Sequence, residues 1–207
     1  KDFDNNGSID PIFSYYMADT NSFAFSRDEL IGQIPSMKRK FPTYLSFAKA
    51  DIKDFFSPEQ LEDADSLQAV LLESIFLDND GKGNFSIRNL PVEAQFSPIH
   101  AILSVDINKD GIQDLLMGGN ANVSRVSSGP SDANGGLVLI GDGKGNFTTL
   151  NPSSSGLKIK GDIRDIQTMK ISGSEYTLFS RYNDSLKVYK FMPPDSLKLE
   201  NLNLADK

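Results

Sequence analysis

Short apolar runs separated by clusters of glycine, asparagine and aspartate dominate the second half of the chain. The strongest runs lie at 101–105, 115–117, 136–140 and 147–150. Each has the length of one β-strand, and turn-forming residues stand between successive runs. This spacing is typical of an antiparallel β-meander.

Two short signatures recur in alternation along the chain. An Asp-x-Asp/Asn-x-Asn/Asp-Gly-x-x-Asp loop occupies 2–10 and 106–114, and an Asp-Gly-Lys-Gly-Asn-Phe turn occupies 80–85 and 142–147. One loop and one turn together define a repeat unit of four strands. The predicted fold is all-β, a partial β-propeller of about three four-stranded blades with a short helical insertion in the first blade.

The predicted repeat units differ in how completely they carry the two signatures. The first blade covers 1–96 and the second 97–152, each with one loop and one turn. A degenerate third blade at 153–191 keeps only strand-like runs, with a turn at 183–184. The tail, 192–207, has no clear period and is expected to be peripheral.

The first unit carries extra residues. From Asp2 to Asp80 is 78 residues, whereas from Asp106 to Asp142 is 36, a difference of 42. The stretch at about 26–66 has helical features and is predicted to hold two or three short helices.

Start signals and apolar spacing support these helices. Ser26 with Glu29 forms a capping box, and Ser57 followed by Pro58 is a second helix start. Between them, one helix is expected from Tyr44 to Phe56. Its apolar face would comprise Leu45, Ala48, Ile52 and Phe55. Aromatic residues are expected to pin the insert to its blade and to offer a surface for a partner: Phe41, Tyr44, Phe47, Phe55 and Phe56.

Composition narrows the function classes. The net charge of −7 argues against nucleic acid and anionic membranes as partners, since both need clustered Lys and Arg. The absence of cysteine excludes disulfide scaffolds and thiol catalysis. No run reaches the roughly 18 apolar residues of a membrane span. The single histidine, His100, is expected to have a structural or surface role, and no catalytic set is identifiable.

The Asp-rich loops match the requirements of a hard cation. Calcium takes about six to eight oxygen ligands, which a loop with oxygen-bearing side chains at alternate positions can supply. In the first loop these are Asp2, Asp4, Asn6 and Asp10, with the carbonyl of Ser8. In the second loop they are Asp106, Asn108, Asp110 and Asp114, with the carbonyl of Ile112. Two Ca²⁺ ions would change the net charge from −7 to −3.

Two other structures have similar Asp-rich loops. An EF-hand requires Glu at the twelfth loop position and flanking helices, but that position holds Phe13 in one loop and Met117 in the other. Hairpins rich in Asp and Asn can also fold without metal. The EF-hand is excluded, while the metal-free hairpin stays open.

The alternation of this loop with a Gly-Asp-Gly-x-Gly-Asn-Phe turn resembles the FG-GAP or VCBS repeat. That repeat builds integrin α-subunit propellers and large exported proteins of Bacteroidetes-like bacteria. The resemblance covers most of the chain outside the helical insertion and the tail. It implies calcium within a β-hairpin at 2–10 and 106–114, and it implies an extracellular or cell-surface, outer-membrane-associated location.

The expected function follows from this resemblance. The chain would be a non-enzymatic, calcium-stapled structural and protein-interaction module, cut from a larger exported protein. Its partners would be the remaining propeller blades, in the same or another chain, and a protein at the cell surface. The alternative is a carbohydrate-active protein, either a glycan-binding module or a polysaccharide lyase propeller.

Several positions depart from the motif. With Asp162 at the first loop position of the third unit, Arg164 takes the third position and Gln167 replaces glycine, so no calcium is expected there. Arg164 would instead pair with Asp162 or Asp165.

Other polar positions suggest turns and loops. Asp80 and Asp142 are expected to organise turns and not to bind metal. The segment at 118–136 is expected to be a mobile surface loop, from which Arg125 would reach a carboxylate or sugar.

Overall fold

A computed structural model describes residues 1–17, 19–124, 129–191 and 199–201. Strands take up 35% of the chain and helices 18%, so the protein is mostly β. The strands of the described residues form small antiparallel sheets, none of which is closed. The chain divides into two compact units, Lys1–Val70 and Leu71–Lys207, so the predicted first blade at 1–96 is divided between them.

The first unit combines a hairpin with short helices. Strand β1 (Ser14–Met17) pairs antiparallel with β2 (Thr20–Phe23). The helices that follow are α1 (Arg27–Gln33), α2 (Met37–Lys40), α3 (Tyr44–Ala48), α4 (Ile52–Phe55) and α5 (Pro58–Glu62). The sequence predicted two or three helices here, whereas the described part of the chain has five shorter ones, each only one or two turns long.

The capping box predicted at Ser26 is confirmed, and so is the helix start predicted at Ser57. The single helix predicted from Tyr44 to Phe56 is wrong. Asp51 accepts a hydrogen bond from the Lys53 amide (3.1 Å) and another from the Asn21 amide (3.0 Å), which fixes it as the N-cap of a new helix. The chain therefore breaks between α3 and α4.

An aromatic core holds the first unit together. Phe23 from β2 packs with Phe41, Phe55 and Phe56, all of which are buried. The ring centroids of Phe41 and Phe55 lie 4.1 Å apart, and those of Phe23 and Phe55 lie 4.0 Å apart. Tyr44 is exposed, so it does not belong to this core.

The second unit is a series of antiparallel sheets. Its first hairpin is β3 (Ile75–Asn79) with β4 (Phe85–Asn89), followed by a 3₁₀ turn at Val92–Gln95. The next sheet is the meander β5 (Ile99–Val105), β6 (Asp114–Gly119), β7 (Leu137–Gly141) and β8 (Phe147–Leu150). The strands predicted at 101–105, 115–117, 136–140 and 147–150 are thereby confirmed.

A second meander completes the unit. After α6 (Pro152–Ser155) come β9 (Ile163–Ile171), β10 (Ser174–Arg181), β11 (Asp184–Phe191) and β12 (Leu199–Asn201). Strand β12 pairs with β11, so part of the segment predicted as a peripheral tail joins the sheet. Residues 192–198 and 202–207 lie outside the described residues.

The sheet β5–β8 is buried on both faces. Leu116 and Val138 pack with side chains of the β9–β12 sheet, such as Ile163. Met117 and Leu139 face the other way and pack with Leu90 of the β3–β4 segment. Burial on both sides explains why these strands are continuous apolar runs instead of alternating patterns.

No helix in the described part of the chain is long and apolar enough to cross a membrane.

Candidate metal-binding loops

The first Asp-rich loop is folded by its own side-chain oxygens. Asp2 accepts hydrogen bonds from the amides of Asn6 (3.2 Å) and Gly7 (2.8 Å). Asp4 accepts a further bond from the Asn6 amide at 3.2 Å, and the Ser8 amide donates to Asn6 Oδ1 at 2.8 Å. Each side chain predicted as a ligand at an alternate position therefore also organises the turn.

The second loop repeats this framework with different residues. Asp106 accepts from the amides of Asp110 (3.2 Å) and Gly111 (3.0 Å). Asn108 Oδ1 accepts from the Asp110 amide at 3.1 Å, and the Ile112 amide donates to Asp110 Oδ1 at 2.8 Å. Every bond described for the first loop thus has a counterpart.

The backbone of the two loops is also the same. Asn5 and Lys109 hold the fourth loop position, with φ of 58° and 62°, and glycine follows two residues later with φ of 88° at Gly7 and 86° at Gly111. Lysine rarely adopts the left-handed region, so the loop's hydrogen bonds impose this conformation at Lys109. The shared framework therefore sets the backbone conformation at Lys109, whereas asparagine and glycine favour it at the other three positions.

The closing aspartate of each loop is buried. Asp10 is 3% exposed and its Oδ2 accepts from the Phe3 amide at 2.9 Å. Asp114 is fully buried, and its Oδ2 accepts from the Ile107 amide at 2.9 Å. Its Oδ1 accepts from the Gly141 amide at 2.9 Å, which links the second loop to β7.

The loops differ in how closely their carboxylates approach one another. In the first loop, oxygens of Asp2, Asp4 and Asp10 all lie within 4.8 Å of one another, which is the only such acidic group among the described residues. In the second loop an amide replaces the second carboxylate, and Asn108 Nδ2 donates to Asp110 Oδ2 at 2.8 Å. Both loops carry three carboxylates, and the first loop brings its three closer together.

Each loop is anchored in a hydrophobic core by its second residue, which the motif leaves unspecified. Phe3 stacks on Phe56 with ring centroids 4.1 Å apart. Ile107 is buried with Leu116 and Ile163 where two sheets pack together. Sequence reasoning missed this role because only the oxygen-bearing positions carried a signal.

The two Asp-Gly-Lys-Gly-Asn turns are also copies of one another. Asp80 accepts from the amides of Lys82 (2.7 Å) and Asn84 (3.2 Å) and from the Asn84 side chain (2.7 Å). Asp142 accepts the same three bonds from residues two and four positions later, at 2.8, 3.1 and 2.7 Å. The side-chain bond from Asn84 is the main cause that lowers the pKa of Asp80, and the equivalent bond lowers that of Asp142. The prediction that these aspartates organise turns is confirmed.

The third unit carries an ion pair where the other units carry a loop. Arg164 lies 3.1 Å from Asp162, as predicted, and its guanidinium lies over the Tyr182 ring at 5.7 Å. Asp162 is 2% exposed and also accepts from the Asn122 amide at 3.0 Å. A cationic side chain thus neutralises this buried carboxylate.

Two other residues named in the sequence analysis, His100 and Arg125, lie outside the loops and turns. His100 lies in β5, and its Nε2 is 2.9 Å from the carbonyl oxygen of Asn120, in keeping with a structural role. Arg125 lies outside the described residues.

Fold and loops together define a mostly β protein with stacked antiparallel sheets and two Asp-rich loops of one design. No model of a known protein family matches the chain, and searches of curated proteins and of solved structures found no match to it.

Proposed function

We propose that this chain is a calcium-stapled segment of an FG-GAP/VCBS-like β-propeller, acting outside the cytoplasm as a non-enzymatic structural and protein-interaction module. The observation that carries the proposal is the identity of the two loop frameworks. Asp2 and Asp106 accept the same backbone bonds although the residues around them differ. Two loops of different sequence thus hold their side-chain oxygens in the same arrangement. This indicates that both loops use these oxygens for the same purpose.

The negative charge of the first loop supports cation binding as that purpose. Three carboxylates with oxygens within 4.8 Å repel one another, and a divalent ion between them would reverse this repulsion. Calcium suits the loop better than magnesium, because calcium accepts irregular sets of carboxylate, amide and backbone oxygens. In the second loop, Asn108 would have to turn its amide so that Oδ1 faces the ion.

The stacking of sheets supports the propeller. The β5–β8 sheet packs with the preceding hairpin through Met117 and with the following sheet through Leu116. Propeller blades are four-stranded antiparallel sheets that follow one another in this way. A location outside the cell fits calcium loops of low affinity, since extracellular modules bind calcium at roughly 10⁻⁴–10⁻³ M.

Thermal unfolding with calcium and with chelator tests the proposal. A ligand that binds only the folded state raises stability by about 2.7 kcal/mol at 100 times its Kd. We expect millimolar calcium to raise the Tm of the wild-type chain. Asp4→Asn, which removes one charge at nearly constant shape, should reduce the rise, and Asp4→Asn with Asp106→Asn should abolish it.

Asp65→Asn serves as the matched control, because Asp65 is an exposed aspartate outside both loops. It should keep the full calcium response. Isothermal titration with calcium and with magnesium then establishes selectivity and the number of sites. An identical Tm in calcium and chelator for the wild-type chain would contradict the calcium proposal.

A further inference from the structure

Asn134 is a buried residue in the connection that leads into β7, and its side-chain amide is only half satisfied. The residue is 5% exposed. Its Oδ1 accepts a hydrogen bond from the Gly136 amide at 2.8 Å, which also fixes which end of the side chain is the oxygen. Its Nδ2 has no hydrogen-bond partner among the described residues. Buried polar groups without a partner are rare in folded proteins and call for an explanation.

The backbone on both sides of this side chain is held in place. Asn120, which directly follows β6, accepts a bond from the Asn134 amide (2.9 Å) and donates one to the Asn134 carbonyl oxygen (2.7 Å). The carbonyl oxygen of Gly135 accepts a bond from the Ile159 amide at 2.8 Å. Within the described part of the chain, the Gly135 amide itself donates no hydrogen bond. A free backbone amide therefore directly follows a side-chain carbonyl that is held and polarised by its own hydrogen bond.

An asparagine followed by glycine can react with its own backbone. The glycine nitrogen attacks Cγ of the asparagine, and no side chain on the glycine hinders the approach. The new N–Cγ bond closes a succinimide ring and the Cγ–Nδ2 bond breaks. Nδ2 then leaves as ammonia, together with the proton of the attacking nitrogen, so ring closure consumes no other reactant. Water can later open the ring to aspartate or isoaspartate.

The chain contains one other Asn-Gly pair, Asn6 with Gly7 in the first Asp-rich loop. Asn6 Oδ1 likewise accepts a bond from the amide two residues later, Ser8, at 2.8 Å. The attacking nitrogen differs, because the Gly7 amide donates to Asp2 Oδ2 at 2.8 Å. Attack requires this nitrogen to lose its proton, and a neighbouring carboxylate opposes the negative charge that develops there. The pair at 134–135 is free of this restraint.

We propose that Asn134 and Gly135 cyclise spontaneously to a succinimide in the folded chain, and that the ring persists. Ring closure keeps the hydrogen bonds of the site, because the Gly136 amide still faces a carbonyl oxygen and Asn120 still faces the amide and carbonyl of residue 134. The group that is lost is the one without a partner.

Burial protects the ring from water once it has formed. Residue 134 is almost fully buried, and its hydrolysis to aspartate would place a charge in the interior, which is costly. The first loop is exposed at Asn6 and Gly7, so a ring formed there would be opened by water. The reaction at Asn134 requires neither calcium nor a partner, and it is therefore independent of the proposed function.

Mass spectrometry of the folded chain tests the proposal. After incubation at neutral pH, the chain is digested with pepsin in acid, which preserves a succinimide. The peptide that contains Asn134 should have lost one ammonia, whereas the peptide that contains Asn6 should keep its mass. Hydroxylamine cleaves succinimides, so under native conditions it should split the chain between Asn134 and Gly135.

Gly135→Ala is the matched variant. A Cβ at this position would lie 3.8 Å from the nearest atom, the Ile159 carbonyl oxygen, and the φ of Gly135 is outside the left-handed region, so the fold accommodates alanine. Its methyl group hinders the attack, and the loss of ammonia should be about tenfold slower or more. Circular dichroism checks that the variant stays folded.

Unfolding in urea should remove the difference between the two pairs. Asn6 and Asn134 should then both proceed to aspartate and isoaspartate at similar rates, because neither ring is protected from water. A folded wild-type chain in which the Asn134 peptide keeps its full mass would overturn the proposal. Faster reaction at Asn6 than at Asn134 in the folded chain would also overturn it, and so would hydrolysis at Asn134 in place of a lasting loss of ammonia.

Discussion

Ile163 fills the space that a side chain at Gly118 would need: a Cβ at position 118 would lie 2.6 Å from Ile163 Cγ2. Gly118 belongs to β6 and Ile163 to β9, so the contact joins two successive sheets. Real Cβ atoms do not approach other atoms so closely, and close-packed interiors transmit such strain. The absence of a side chain at 118 therefore sets how closely the sheets approach.

Substitution of Gly118 tests the role of this contact. Gly118→Ala should lower the free energy of unfolding by about 1–3 kcal/mol, because the new methyl group overpacks the space held by Ile163. Urea denaturation measures the loss. Adding Ile163→Ala to this variant should cost less than the two single effects combined, because the smaller side chain makes room.

Gly32 provides a matched control, because it lies in α1 with no heavy atom within 4 Å of a Cβ there. Gly32→Ala should be neutral or stabilising by about 0.5–1 kcal/mol, since alanine favours the helix. A Gly118→Ala variant as stable as Gly32→Ala would refute the packing account.

The closing aspartates should differ in their contribution to stability even without calcium. Asp114 accepts bonds from two backbone amides, Ile107 and Gly141, whereas Asp10 accepts one, from Phe3. A buried amide left without a partner costs about 1–3 kcal/mol. Urea denaturation in chelator should therefore show a larger loss for Asp114→Ala than for Asp10→Ala.

Asp114→Asn is the conservative comparison, because it keeps one carbonyl oxygen that accepts a bond. Its stability should fall between those of the wild-type chain and Asp114→Ala. Equal losses for Asp114→Ala and Asp10→Ala would mean that the Gly141 bond adds nothing to stability.

The two Gly-containing turns should make stability depend on pH. Hydrogen bonds from Asn84 and Asn146 hold the pKa of Asp80 and Asp142 below the ordinary value of 3.8. As the pH falls, these two carboxylates are therefore protonated in the unfolded chain before they are protonated in the folded chain. The turns' contribution is complete above about pH 4 and is lost as the pH falls through the lower pKa of the folded state. Asp80→Asn with Asp142→Asn should thus be less stable at neutral pH, with a smaller drop in Tm between about pH 5 and about pH 2.

Asp65→Asn again supplies the comparison for this experiment, since it changes one exposed carboxylate outside the turns. Its drop in Tm on acidification should match that of the wild-type chain. If the double variant loses as much Tm in acid as the wild-type chain does, the turns do not contribute to the pH dependence.

Local structure followed from the sequence wherever the partners are a few residues apart. The bond from the Gly7 amide to Asp2, the capping box of Ser26 with Glu29, and the Asp80 turn each close within five residues. Such bonds form from the chemistry of the segment alone, so the motifs predicted them. The β-runs around them were recognisable as short apolar runs between turn-forming residues.

Tertiary structure decided the features that join distant residues. The Asp51 carboxylate, which caps α4 through the nearby Lys53 amide, also accepts a bond from the distant Asn21 amide, and Phe3 is fixed by Phe56. The link from Asp114 to Gly141 and the division of the chain near Val70 likewise had no local signal. A spacing pattern records which side chains can reach each other along the chain, whereas packing depends on which surfaces meet after it folds.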